Sequence, residues 1–185
     1  MIDTVTMCGH TGYDIDFGRG DGKPRFSSYK AEKFADEYFR SIENKIKEIG
    51  ESDVPYFLVA GHFPVWSVGG HGPTVCLVQK LRPLLHKYNV SAYLSGHDHD
   101  LQHLTDTYLD HTVEYIVSGA ANSVLSGMNH SNSVPPQSLK FFWGDGLFIV
   151  NGGFCLFRAN AMNMTITFLE TNGKELYQKV IYPRK

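Results

Sequence analysis

Short apolar runs alternate with longer amphipathic stretches through the middle of the chain. The runs "VPYFLVAGH" (54–62), "VSAYLSGHDH" (90–99) and "VEYIVSGA" (113–120) are nearly continuous in apolar residues and each closes on glycine. Continuous runs of this length suit strands buried on both faces, as in a sheet covered by helices. In 28–49, Phe34, Tyr38, Ile42, Ile46 and Ile49 recur at spacings of three and four, which predicts a helix with one apolar stripe. Ser27 or Ser28 is placed to cap its start and Gly50 to end it. "TVCLVQKLRPLLHKY" (74–88) predicts a second helix, which Pro83 can kink or divide. "IDTVTMC" (2–8) alternates partly between apolar and polar residues, the pattern of a half-buried strand. The last part, "GGFCLFRANAMNMTITFLETNGKELYQKVIY" (152–182), reads as antiparallel strands with a two-residue hairpin turn at Asn172–Gly173. "GHTGYDIDFGRGDGKPRF" (9–26) and "SVLSGMNHSNSVPPQSLK" (123–140) read as loops. The pattern as a whole is that of an α/β fold.

Composition narrows the class. A length of 185 residues fits one domain with a sizeable core, and an apolar fraction of 42% excludes a disordered chain. The net charge of −2, without a basic run, gives no sign of a nucleic-acid partner. No apolar stretch is long enough to span a membrane. "MIDTVTMCGH" has neither the basic nor the apolar region of a signal peptide.

The strand ends carry the candidate chemistry. In open α/β sheets, ligands bind at the carboxyl ends of the strands. His62, His97 and His99 all fall there, each just past an apolar run and a glycine. Imidazole is a favoured ligand of zinc, iron and similar ions, so the three are candidate metal ligands. In an extended segment His97 and His99 would point the same way. On a sharp loop they would fan out to two ions. His71, in "GGHGPT", is either a surface histidine or an acid–base group. His10, His86, His103, His111 and His130 read as ordinary polar residues, and Asp98 and Asp100 as loop hydrogen-bonding groups that tune the site's charge. Asp14, Asp16 and Asp21 read as part of a solvated loop. A hydrolytic dinuclear centre also needs carboxylate and other oxygen ligands beyond three histidines.

"VAGHFPVWS", "HGPT" and "LRPLLHKYNVSAYLSGHDHDLQHL", in this order and spacing, resemble the purple acid phosphatases of the calcineurin-like metallophosphoesterase superfamily, the animal tartrate-resistant branch above all. The resemblance runs from "IDTVTMCG" through "YIVSGA" to the last strands. It implies a two-sheet β-sandwich flanked by helices, with a dinuclear Fe(III)–M(II) site at the strand ends, M being Fe, Zn or Mn. It implies that His62 and His97 bind the divalent ion and His99 the ferric ion, and that His71 contacts the phosphate and helps protonate the leaving group. The reaction implied is hydrolysis of a phosphate monoester, small molecule or phosphoprotein. Another calcineurin-like phosphoesterase, acting on diesters or nucleotides, is an alternative that "HGPT" argues against. A catalytically dead metal-binding remnant is another.

The family's other ligands sit in an N-terminal half. Neither G-D-x-x-Y nor G-N-H-D/E occurs here: "GDG" at 20–22 and at 144–146 lacks the following tyrosine, and "NH" at 129–130 lacks the flanking residues. The chain therefore reads as the C-terminal half of the domain, inactive by itself, whose missing partner is the N-terminal half. On this expectation the absent signal peptide carries no weight, and a secreted or lysosomal location is implied. An isolated half is expected to expose an apolar sheet face and free strand edges. By the resemblance, Cys8 and Cys76 form a disulfide, although the residues alone equally fit two buried thiols, and Cys155 is left over as a packed core thiol. Asn89, Asn129 and Asn163 open N-x-S/T sequons, so they are glycosylation candidates.

Overall fold

A computed structural model describes residues 1–9, 28–108, 110–121, 124, 127–144 and 151–184. The loop expected over 9–26, with His10, Asp14, Asp16 and Asp21, lies outside the described residues apart from Gly9, as does most of the second "GDG".

The first element is a helix rather than the expected strand. Helix α1 spans Thr4–Cys8, and the Thr6 N–H donates to Asp3 Oδ1 at 2.9 Å. An aspartate cap competes well with a strand when the neighbouring pairing is short. Ile2 still reaches a strand edge, its N–H donating to the Ala60 carbonyl at 2.7 Å. Helix α2, Tyr29–Gly50, starts as expected, with Ser28 Oγ accepting from the Ala31 N–H. Tyr38, Ile42, Ile46 and Ile49 face the core, but Phe34 is 60% exposed and the small Ala35 is buried beside it. Gly50 closes the helix from inside: a Cβ there would lie 2.6 Å from Tyr88 Cβ, so glycine permits the helix ends to meet. Helix α3, Val75–Lys87, runs through Pro83 without division.

Five strands form the main sheet: β1 (Leu58–Ala60), β2 (Ala92–Ser95), β3 (Leu101–Tyr108), β4 (His111–Ser118) and β5 (Leu139–Trp143). Their order is β1-β2-β4-β3-β5, with β1, β2 and β4 parallel and β3 antiparallel to both β4 and β5. β3 and β5 were not expected. The second sheet, β6 (Gly153–Ala159), β7 (Met164–Glu170) and β8 (Glu175–Ile181), is the predicted antiparallel meander. Its hairpin is tied by Gly173 N–H to Glu170 C=O and by Glu170 N–H to Lys174 C=O, so the loop holds three residues, not two. Gly173, at φ 89°, supplies the left-handed step.

Alternation of side chains across the pleat separates two cores. Val59, Tyr93, Val113 and Tyr115 pack under α3 with Leu77, Leu81 and Leu85. Ala92, Leu101 and Ile116 point the other way, onto Ile166 and Phe168 of the second sheet. Among the described residues both faces of the main sheet are covered, whereas Phe154 and Val180 on the second sheet are exposed. The architecture is α/β: two packed sheets flanked by helices.

Polar ties cross these layers. Glu114 bonds His103 Nε2 at 2.6 Å and Lys179 Nζ at 2.7 Å, joining the two sheets. Asp106 takes the Arg82 guanidinium, the Trp66 indole N–H and His86 Nε2. Burial would raise its carboxyl, but the hydrogen bonds from His86 and Arg82 win and hold it well below the usual carboxylate range. Cys8 and Cys76 form a disulfide between α1 and the start of α3. Cys155 is free and half-buried, and burial pushes its thiol up to about 12. The Arg184 guanidinium reaches the carbonyls of Ile49, Gly50 and Ser52 at the end of α2 and those of Tyr88 and Asn89 past the end of α3. A cation at two helix C-termini meets the negative end of both dipoles.

Candidate metal centre

Two parallel strands deliver the histidine loops to one end of the sheet. After β1, Gly61 donates its N–H to the Leu94 carbonyl, and a Cβ on it would lie 2.5 Å from both Thr4 Cγ2 and Tyr93 Oη. Phe63 is pinned from two sides: its N–H donates to Thr4 Oγ1 at 3.0 Å, and its carbonyl accepts from the Tyr93 hydroxyl at 2.7 Å. His62, between Gly61 and Phe63, is therefore presented outward by a fixed backbone. After β2, Gly96 N–H donates to the His62 carbonyl, which ties the two loops together. The Asp98 N–H then donates to the Gly96 carbonyl at 2.9 Å, and His97 between them has φ 70°. A three-residue turn with positive φ at its centre is the strained form of the γ-turn, and such strain concentrates at functional sites. It breaks the extended geometry that would have made His97 and His99 parallel.

The structure brings His62, His71 and His97 together. His62 Nε2 and His97 Nδ1 lie 3.0 Å apart. The His71 ring centroid lies 4.2 Å from that of His97, and the Phe63 ring packs edge-on to His97 at 4.7 Å. His99 is exposed, just beyond the buried Asp98. Two nitrogens at ~2.1 Å from one ion and at right angles to each other would be ~3.0 Å apart, so the His62–His97 pair fits two positions on a single ion. Among the described residues, no group of three or more His, Cys, Asp or Glu side chains is close enough to hold a metal. The residues fit part of a metal site, not a closed one.

Beneath the histidines lies a buried polar cluster, in which Asp98 and Asp100 make the hydrogen bonds expected of them while Ser67 and Gln102 were missed by sequence reasoning. Asp98 and Asp100 turn inward, as do Ser67 and Gln102. Asp98 accepts from the His71 N–H and from the Ser67 hydroxyl, and Gln102 donates to both oxygens of Asp100. Burial pushes the Asp100 carboxyl up to about 7, with the hydrogen bond from Gln102 opposing and the Asp98 charge adding. Gln102 carried no readable signal, because "LQHLTDTY" (101–108) shows no apolar alternation that would mark it as inward. His130, read as an ordinary polar residue, reaches the same rim: its N–H donates to the Val68 carbonyl, and its ring packs on Gly72, where a Cβ would lie 2.7 Å from His130 Cγ. Of the sequon asparagines, Asn89 and Asn129 are exposed and Asn163 is half-buried at the start of β7. Among the described residues, no helix is long and apolar enough to cross a membrane.

Two packed sheets with outward histidines at the carboxyl ends of parallel strands define a calcineurin-like metallophosphoesterase fold. Within that class the chain is related in sequence to the purple acid phosphatases. It is 40% identical over 187 residues to tartrate-resistant acid phosphatase type 5 of Homo sapiens, covering 100% of this chain and 52% of that protein. It is 44% identical over 187 residues to the same enzyme of Rattus norvegicus, again covering 100% of this chain and 52% of the relative. Purple acid phosphatase 17 of Arabidopsis thaliana is 32% identical over 141 residues, 76% of this chain and 38% of its own length. The chain spans about half the length of the curated relatives it matches. It matches no family model. Two solved structures share the fold. One is a purple acid phosphatase from yellow lupin (Lupinus luteus) seeds, at TM-score 0.60 and 16% identity over 79% of this chain and 28% of that one. The other is GAP50, described as the anchor in the inner membrane complex of Plasmodium, at TM-score 0.68 and 19% identity over 100% of this chain and 48% of that one.

Proposed function

We propose that this chain is the histidine-bearing part of an acid phosphatase that hydrolyses phosphate monoesters, whether small molecules or phosphoproteins. In this reading His62 and His97 hold the divalent ion (Fe, Zn or Mn) of a dinuclear centre, and His99 holds its ferric ion. The other ligands belong to the remaining half of the same domain. The observation that carries the reading is the His62–His97 nitrogen pair at 3.0 Å with the His71 ring beside it. When bound, the ions would neutralise the phosphate charge and supply the nucleophile. The chain's own residues would do the rest. Thr4 and Tyr93 fix the His62 loop through Phe63, and the strained turn aims His97. His71 is set to contact the phosphate and to protonate the leaving oxygen. The Cys8–Cys76 disulfide favours an oxidising compartment, secreted or lysosomal.

A second reading, a metal-binding protein without turnover, is favoured by the incomplete ligand set among the described residues. One experiment separates the readings: metal content and p-nitrophenyl phosphate hydrolysis at acid pH of the purified chain, alone and joined to the N-terminal half of a purple acid phosphatase, beside His62→Ala. The expected result is metal bound through His62, with turnover above the variant only in the joined form. Metal binding with no turnover in either form would favour the second reading. Equal metal content in parent and variant would remove His62 from the ligand set.

A further inference from the structure

We propose that Ser67, Asp98 and Gln102 are positioning residues for His71: a buried clamp anchored on β3 that holds the His71 loop in register with the loop of His97. The role in catalysis rests on the reading of His71 given above; the clamp itself rests on geometry. The Ser67 hydroxyl has one proton and two lone pairs. It accepts from the Gly69 N–H at 3.0 Å and from Gln102 Nε2 at 2.8 Å. Its own proton is thereby directed to Asp98 Oδ2, its remaining partner. The other oxygen, Asp98 Oδ1, accepts from the His71 backbone N–H at 2.8 Å. Gln102 completes the grip, its Oε1 accepting from the Val68 N–H at 2.9 Å. Strand pairing with Val117 and Phe142 fixes Gln102 on both sides.

The Gln102 NH2 shares its two protons among Ser67 Oγ and both Asp100 oxygens, and Ser67, Asp98 and Gln102 are all buried. Packing leaves no slack: a Cβ on Gly69 would lie 2.6 Å from Asp100 Oδ2 and 2.7 Å from Asp98 Cγ. The clamp answers a specific need. The loop to His71 passes through Gly69 and Gly70, the most permissive residues available, yet must hold an imidazole against His97. Asp98 does this from between the two candidate ligands: its side chain turns inward and grips the opposite loop. An asparagine at 98 cannot replace it. Its NH2 would face either the Ser67 O–H or the His71 N–H, and both are donors.

The test uses the whole chain with Ser67→Ala and Asp98→Asn, singly and together. Hydrogen exchange of the His71 amide is followed by NMR, beside zinc stoichiometry and binding of inorganic phosphate. Each single variant should speed His71 exchange by about 10-fold or more, the effect of losing a charge-assisted hydrogen bond. The double variant should add little, since both act through one contact. Phosphate binding should weaken, while zinc content and the protection of β3 amides stay at the parent level. Unchanged His71 exchange, or additive effects, would overturn the clamp. Loss of zinc in step with His71 exchange would also overturn it, because Asp98 would then shape the ligand loop instead. If the parent binds neither zinc nor phosphate, the functional reading fails while the exchange data still decide the clamp. Ser67→Ala removes a single hydroxyl, so it carries the test should Asp98→Asn not fold.

Discussion

Ser95–Gly96 and Ser118–Gly119 end β2 and β4, adjacent strands of one sheet, and look alike in sequence. Alanine at the two positions should behave very differently. At Gly119 a Cβ would fall on the carbonyl oxygen of Asp98 and 2.9 Å from its carbonyl carbon. At Gly96 nothing lies nearer than the Ser118 carbonyl oxygen at 3.9 Å. Neither glycine has positive φ, so the contrast is purely steric. Carbon atoms pack at ~3.5–4.0 Å, so Gly119→Ala must move the Asp98 backbone by at least ~0.6–1.1 Å. That backbone lies between His97 and His99, and is held from the other side by the Gly119 N–H on the Asp100 carbonyl. Overpacking of this kind costs about 1–3 kcal/mol. At roughly 2–4 °C per kcal/mol for a chain of this size, Tm should fall by about 2–12 °C. A site tolerates about 0.5 Å of misplacement, so zinc binding should weaken as well. Thermal melting by circular dichroism and a zinc titration, run on both variants, measure the two effects. If Gly119→Ala melted and bound zinc as Gly96→Ala does, the steric reasoning would be refuted.

In a form that turns over substrate, His71→Ala should keep its metal and lose roughly 10²-fold in turnover, as for loss of an acid–base group, whereas alanine at His62, His97 or His99 should lower metal content and activity together; metal analysis beside kinetics distinguishes them. Asp106 has a lowered folded pKa, so its contribution is present above the unfolded value of 3.8 and is lost as pH falls below it. Asp106→Asn should thus destabilise at neutral pH, with the gap to the parent closing in acid denaturation series run below about pH 4. Cys8 and Cys76 are 68 residues apart, and opening a loop of that size costs about 4 kcal/mol on a chain-entropy basis. Cys76→Ser should lower stability by that order in urea titrations, and non-reducing peptide mapping of the parent should find Cys155 as the free thiol.

Much of this architecture was legible from periodicity, and its failures have physical causes. The helical stripe and the Ser28 cap of α2 were readable because a long amphipathic helix repeats its signal over several turns. Phe34 broke the rule because Ala35 already fills the inward position. β3 was hidden because Gln102, His103 and Asp106 are buried for their hydrogen bonds, not for their hydrophobicity. α1 read as a strand because Thr4, Val5 and Thr6 are β-branched or strand-prone, and the outcome turned on one cap, Asp3. At the site, Gly-His at strand ends was visible because glycine and topology mark such places. The Ser67–Asp98 contact was not, since it joins two loops 31 residues apart by side chains common in any loop.

Arg184 gives the fold a direction in time. Its partners at Gly50 and Ile49 lie 134 and 135 residues earlier, and those at Tyr88 and Asn89 nearly a hundred residues earlier. During synthesis both helices emerge and can pack long before this guanidinium exists. Until then Ser52 caps the Ile49 carbonyl, but the carbonyls of Gly50, Tyr88 and Asn89 lack the guanidinium. The ribosome therefore delivers the cation that ties the two helices together after both helices and the strands that precede it, and a nascent chain stalled before residue 184 should carry both helices with looser ends.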